Sequence, residues 1–321
     1  MRIATRDPTM THPGVLYPKM TVIGCGLIGG SIIRAARAQG VVGQVTVADA
    51  SEAHRARVTE LGLAEHVTGD IAEAVKDADL VVIATPVLST AEVAAALAPH
   101  MKAGATLTDV GSTKANVVEA FKALDLSKVF VIPGHPIAGT EQSGPDAGFA
   151  ELFENRWTIL TPAESDDEAY AAAVAKLSAF WRSFGAQVEL MDDKHHDLVL
   201  AVVSHLPHLI AYTIVGSAAD LENVTESEVI KFSASGFRDF TRIAASDPTM
   251  WRDIFVANKD AVLEMLGRFT EDLQAMSRAI RWGDADTLHA HFTRTRAIRR
   301  GIVAAGQESA EPNFGRDRGK H

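Results

Sequence analysis

A single cysteine, Cys25, is present among 321 residues. An internal disulfide is therefore excluded, and a lone thiol fits a reducing cytoplasm. Positive charge is also scarce: 31 Lys and Arg stand against 41 Asp and Glu, a net charge of −10. Counterion release on nucleic acid needs clustered Lys and Arg, so this balance argues against a nucleic-acid partner. No unbroken apolar run reaches the ~20 residues needed to cross a bilayer. The greasiest stretch, Leu198–Val215, is interrupted by Ser204, His205, Pro207 and His208. Residues Met1–Lys19 carry Pro8, Pro13 and Pro18 and lack the apolar core of a signal peptide. Internal repeats and low-complexity tracts are missing as well. What remains is an ordinary globular composition, 47% hydrophobic and 22% charged, in a chain long enough for about two domains. The expectation is a soluble, cytoplasmic protein that meets neither membrane nor nucleic acid.

Short β-branched runs then alternate with Ala-rich amphipathic stretches. The runs are Met20–Ile23, Gln44–Ala48, Leu80–Ala84, Thr106–Val110, Val129–Ile132, Trp157–Leu160 and Gln187–Leu190. Each is continuously apolar rather than alternating, the pattern of strands buried on both faces of a parallel sheet. Helices are predicted over Ser31–Gln39, Ser51–Leu61, Leu88–Leu97, Thr113–Leu124 and Asp166–Phe184. This alternation predicts a Rossmann-type, doubly wound, mainly parallel α/β domain over residues 20–190. After Met191 the strand signal stops. Asp192–Ala219, Thr225–Lys231, a stretch from Asp247 and Ala285–Ala305 read as helical, with Asp247-Pro248 a capped start. An all-α domain is expected over 191–306, and its broad apolar faces suggest a dimer interface. Residues 1–19 read as an N-terminal extension and 307–321 as a mobile tail.

The strongest local signal is Gly24-Cys25-Gly26-Leu27-Ile28-Gly29, which directly follows the first predicted strand and opens a helix. In that context the glycines serve a tight turn (Gly24), backbone approach to a pyrophosphate (Gly26) and close helix–strand packing (Gly29). The helix N-terminus presents free N–H groups to phosphate. Asp49, ending the second predicted strand, can accept from ribose hydroxyls and repel a 2′-phosphate, and Ala50 and Ser51 supply no arginine for one. NAD is therefore expected. Thr85 and Pro86, after the strand Leu80–Ala84, could lie against adenine or ribose. Ser112 either caps the following helix or faces the nicotinamide.

His135, in Gly134-His135-Pro136, is read as a loop residue at a strand's carboxyl end. It is placed either as a general base or as a brace for its turn. Ser204-His205-Leu206-Pro207-His208 puts two imidazoles on one helix face, where a satisfied core role is the alternative. A metal site built from His195, His196, Asp197, His205 and His208 is disfavoured, since about 13 Å of helix separates His196 from His205. No metal is expected. Arg242 suits a substrate carboxylate, or else an internal pair with Asp239 or Asp253.

Four blocks now stand in order: Gly24-x-Gly26-Leu27-Ile28-Gly29-Gly30-Ser31; Gly134-His135-Pro136-Ile137-Ala138-Gly139-Thr140-Glu141-x-Ser143-Gly144; Ser204-His205-Leu206-Pro207-His208; and Asp239-Phe240-Thr241-Arg242-Ile243-Ala244-x-Ser246-Asp247-Pro248-x-Met250-Trp251. Together, over roughly residues 20 to 300, they resemble the prephenate/arogenate (cyclohexadienyl) dehydrogenases of tyrosine biosynthesis. The resemblance implies NAD-dependent oxidative decarboxylation of prephenate, arogenate or both. In that reading His135 is the base, and Ser112 bonds the substrate hydroxyl or the nicotinamide. Arg242 holds a carboxylate with His208 and His205, and Thr140 and Glu141 line the pocket. It also implies a homodimer formed by the helical domain. Neither a fused chorismate mutase nor an appended regulatory module is expected. The rival readings are a 3-hydroxy acid dehydrogenase, which typically depends on a helical-domain lysine, and a non-catalytic NAD-sensing module.

Overall fold

The computed structural model describes residues 14–225 and 235–304. Strands β1 (Tyr17–Ile23), β2 (Val42–Ala48), β3 (His66–Thr68), β4 (Leu80–Ile83), β5 (Thr106–Asp109) and β6 (Phe130–Val131) form one sheet, ordered β3-β2-β1-β4-β5-β6. All its pairings are parallel. A crossover helix follows each strand but the last: α1 (Leu27–Ala38), α2 (Glu52–Glu60), α3 (Ile71–Val75), α4 (Thr90–Leu97) and α5 (Ala115–Lys122). The order reverses between β1 and β4, which opens a crevice at the carboxyl edge where ligands of such sheets bind.

The remaining strands depart from the expectation of one sheet. β7 (Gly134–Pro136), β8 (Trp157–Leu160) and β9 (Gln187–Leu190) form a second, mixed sheet, with β7 antiparallel to β8 and α6 (Glu168–Ser183) crossing from β8 to β9. His135 is thus a strand residue paired with Ile159, not a loop residue. Two boundaries also move. β1 begins at Tyr17, a buried ring inside the expected extension, and α1 begins within the glycine motif at Leu27.

Two apolar cores sandwich the parallel sheet. One holds Val22, Ile32, Val47 and Val82 with an aromatic cluster: Phe153, Phe180, Trp181 and Phe184. Their rings meet edge to face, with centroids 4.6 Å apart for Phe180–Phe184 and 5.3 Å for Phe153–Trp181. The other core packs Val81, Ile83 and Leu107 under Leu97 and Phe121.

Beyond β9 the chain is helical. α7 (Asp193–Leu200), capped by Asp192, runs through a π turn (Ala201–His205) into α8 (Leu206–Thr225). By length and composition alone the stretch Asp193–Asp220 could cross a bilayer. It buries His196, Asp197 and His205 and leaves Leu198, Val202, Val203, Ile214 and Val215 exposed. α9 (Ser235–Thr241) and a 3₁₀ turn (Arg242–Ala245) precede α10 (Pro248–Ala257), which starts at the Asp247-Pro248 cap. The predicted helix Thr225–Lys231 falls outside the described residues, apart from Thr225. By contacts, the chain up to Val262 forms one compact unit and that from Leu263 a second. α11 (Lys259–Trp282) starts in the first unit, and α12 (Ala285–Ala304) lies in the second. The second unit is amphipathic and leaves Leu263, Leu273, Ile280, Trp282 and Phe292 exposed.

Candidate active site

The glycine motif forms a turn that only glycine fits at two positions. Gly24 has φ +89°, and a Cβ there would meet the Ala84 carbonyl oxygen at 2.8 Å. At Gly29 a Cβ would lie 2.3 Å from the Gly24 oxygen. Gly26, the α1 N-cap, faces open space and has no side-chain cap, so the first-turn N–H groups around Leu27 and Ile28 are available to an anion. Thr85, beside Gly24 and before Pro86, keeps a buried Oγ1 without a partner. An open backbone cradle with an orphaned hydroxyl beside it fits a dinucleotide.

Asp49 braces this turn, accepting from the N–H of Cys25 at 2.9 Å and of Ser51 at 2.9 Å. Burial beside this carboxylate pushes the Cys25 thiol up to about 12, which leaves it unreactive. Past Ala50 and Ser51, Arg55 reaches back from α2 and donates to the Asp49 and Ala50 carbonyls. Its guanidinium is committed to backbone oxygens.

Behind the carboxyl edge lies a chain of buried groups that sequence reasoning did not assemble. His135 Nδ1 is 2.9 Å from His196 Nε2, and His196 Nδ1 is 2.8 Å from Asp197 Oδ1. The Asp197 carboxylate also accepts from the N–H groups of Lys114 (2.7 Å) and Ala115 (2.9 Å), thereby capping α5 from α7. Proton positions follow by elimination. The carboxylate only accepts, so His196 carries its proton on Nδ1 and offers a lone pair at Nε2. His135 must then donate from Nδ1, which leaves its Nε2 as a free acceptor. Burial holds the pKa of His135 well below the ordinary value of 6.5, helped by the neighbouring His196, Lys114 and His205. Burial likewise lowers His196.

One layer deeper, Lys114 is fully buried in an ion pair with Asp109 at the end of β5. Lys114 Nζ also donates to the Gly134 carbonyl at 2.7 Å, and Asp109 accepts from the Gly134 N–H at 3.1 Å and the Gly111 N–H at 2.8 Å. Both backbone groups of the residue before His135 are thus gripped by one ion pair.

Asp197's occupation of the α5 N-terminus removes the capping reading of Ser112, whose side chain caps no helix. His205 is buried, with Nδ1 near Asn258 and Nε2 unpartnered. His208 donates from Nδ1 to the Ser204 carbonyl at 2.8 Å and stacks on Trp251 at 3.6 Å between centroids. Arg242 lies close enough to help lower the pKa of His208. It pairs with Glu141, not with Asp239 or Asp253, and Asp253 is taken by Arg252. Thr140 stands on an exposed turn, accepting from the Gln142 N–H. The residues missed were Asp109, Lys114, His196, Asp197 and Asn258; the available signals were a lysine shortly after a strand-ending aspartate and an adjacent His-Asp pair.

A glycine-rich βα turn on the parallel sheet, with an acceptor imidazole presented by the second sheet, is the arrangement of a dinucleotide-dependent oxidoreductase. Comparison with known proteins narrows the class. Residues 32–190 match the nucleotide-binding domain of prephenate dehydrogenase, and residues 192–294 match its dimerization domain. The chain belongs to the prephenate dehydrogenase family. It is 41% identical to the cyclohexadienyl dehydrogenase of Zymomonas mobilis over 284 residues, covering 88% of this chain and 96% of that protein. It is 35% identical to the prephenate dehydrogenase of Bacillus subtilis over 292 residues, covering 91% of this chain and 77% of that one. Among solved structures, the A. aeolicus prephenate dehydrogenase in complex with hydroxyphenyl propionate and NAD+ superposes with a TM-score of 0.81 at 32% identity, covering 89% of this chain and 98% of that one.

Proposed function

We propose that this protein is an NAD-dependent cyclohexadienyl dehydrogenase of tyrosine biosynthesis, oxidatively decarboxylating prephenate, arogenate or both. The observation that carries the reading is the tautomer of His135: a buried, neutral imidazole with its Nε2 lone pair free. The glycine turn and Asp49 would hold NAD, which when bound would supply the acceptor for the hydrogen at C4 of the substrate ring. His135 Nε2 takes the proton of the C4 hydroxyl, and Ser112 orients that hydroxyl. The C4–H electron pair leaves with the hydrogen, the ring carboxylate departs as carbon dioxide, and the electrons of its C–C bond complete the aromatic ring. Arg242 anchors the remaining carboxylate, with His205 and His208 beside it and Thr140 and Glu141 at the rim. A cytoplasmic homodimer through the helical region accounts for the apolar side chains left exposed there.

The deciding experiment is absorbance at 340 nm with each substrate and each cofactor. Growth with NAD and prephenate or arogenate, and much weaker growth with NADP, is expected. Silence with both substrates overturns the assignment in favour of a binding module or a different dehydrogenase.

Arg242→Ala tests the anchor. A hydrogen bond to a charged group contributes about 1.5–3 kcal/mol, so KM should rise roughly 10–100-fold while kcat changes little. The substitution also removes the guanidinium that pairs with Glu141. An unchanged KM would make the Arg242–Glu141 pair purely structural.

A further inference from the structure

Asn258 stands at the junction of α10 and α11, buried, with its own N–H bonded to the Ile254 carbonyl. Its side-chain Nδ2 donates to the Asp197 carbonyl at 2.8 Å and lies 3.1 Å from His205 Nδ1. A carbonyl can only accept, so the amide nitrogen, and not its oxygen, must face Asp197 and with it His205. His205 Nδ1 is therefore the acceptor. Burial pushes the pKa of His205 down to about 4, so the ring is neutral and its single proton sits on Nε2. That N–H is buried, and the acceptor it approaches is the Ser112 backbone carbonyl, with which it makes no well-formed hydrogen bond. His205 closes the π turn, a helical irregularity frequent at functional sites.

We infer that Asn258 is a positioning residue that locks His205 into the Nε2–H tautomer, making it a neutral hydrogen-bond donor to a ligand oxygen. The inference deepens the proposed function, on which its catalytic consequence rests. Asp197 then sets two opposite tautomers. Its carboxylate, through His196, leaves His135 an acceptor at Nε2, and its carbonyl, through Asn258, leaves His205 a donor at Nε2. A proton acceptor and a proton-bearing donor stand at one site without either being charged. Such a pair can take a hydroxyl proton and hold a neighbouring substrate oxygen at the same time.

The test uses full-length protein with ¹⁵N-labelled histidine, with the His205 ring signals assigned by their loss in His205→Gln. The wild-type spectrum at neutral pH should show His205 protonated at Nε2 only. In Asn258→Asp the side chain accepts instead of donating, and the proton should move to Nδ1. kcat/KM should then fall about 10–100-fold with the fold intact. A wild-type ring protonated at Nδ1, or a tautomer indifferent to Asn258→Asp, overturns the inference. The wild-type spectrum decides this even where the variant does not fold. A tautomer that switches as described with kcat/KM unchanged upholds the positioning role and removes His205 from the substrate site instead.

Discussion

Replacing His135 with asparagine should lower kcat by about 10²–10⁴-fold, the usual range for losing a general base, while KM stays within a few-fold. The substitution is selective because an asparagine amide can take the place of imidazole Nδ1 and still donate to His196 Nε2. The buried contact 2.9 Å long in the native protein can therefore persist. What disappears is Nε2, the atom to which the proton would go. The pH profile supplies a second readout. Burial and the neighbouring His196, Lys114 and His205 hold His135 well below its ordinary 6.5. The proposed base is thus neutral at pH 7, and kcat/KM of the wild type should be flat through neutrality and bend down only in acid. In His135→Asn that acid limb should vanish with the activity. Near-normal turnover in steady-state kinetics would remove His135 from the chemistry and leave it a brace for β7.

How much of this was readable beforehand follows from how local each feature is. β1, β2, β4 and β5 were legible because strands covered on both faces become continuous apolar runs. β3 was not, since His66-Val67-Thr68 is only partly buried and carries one apolar residue. β7 was hidden by its own composition: Gly134 and Pro136 read as loop, yet a strand this short and antiparallel to β8 tolerates both. The glycine turn was legible because its three glycines fall within six residues directly after a strand. The imidazole chain was not, because it joins β7 to α7, and the carboxylate that orders it caps a helix 82 residues earlier in the chain. The adjacent His196-Asp197 pair was visible but open to any helical role. Arg55 was overlooked for a related reason: the arginine beside Asp49 comes from the first turn of α2, not from the residues directly after Asp49.

The largest expected loss of stability is at Lys114. Its side chain and that of Asp109 are 0% and 1% exposed, so neither charge has water to fall back on. A buried pair is a weak source of net stability, yet removing one partner strands the other and typically costs about 3–5 kcal/mol. Lys114→Met keeps the length of the chain and deletes the charge. Asp109 then retains only the Gly111 and Gly134 N–H donors, and the Gly134 carbonyl loses its partner. The urea midpoint should fall correspondingly, and because both polar groups of Gly134 are anchored by this pair, kcat should fall with it as His135 loses its fixed position. The double variant Asp109→Asn/Lys114→Met, with no charge left unpaired, should recover part of the stability, since the two sites share one interaction and their effects are not additive. A single variant within about 1 kcal/mol of wild type, the range of an exposed pair, would mean that water reaches the pair in solution. The ion pair would then not be a rigid support for Gly134 and the His135 that follows it.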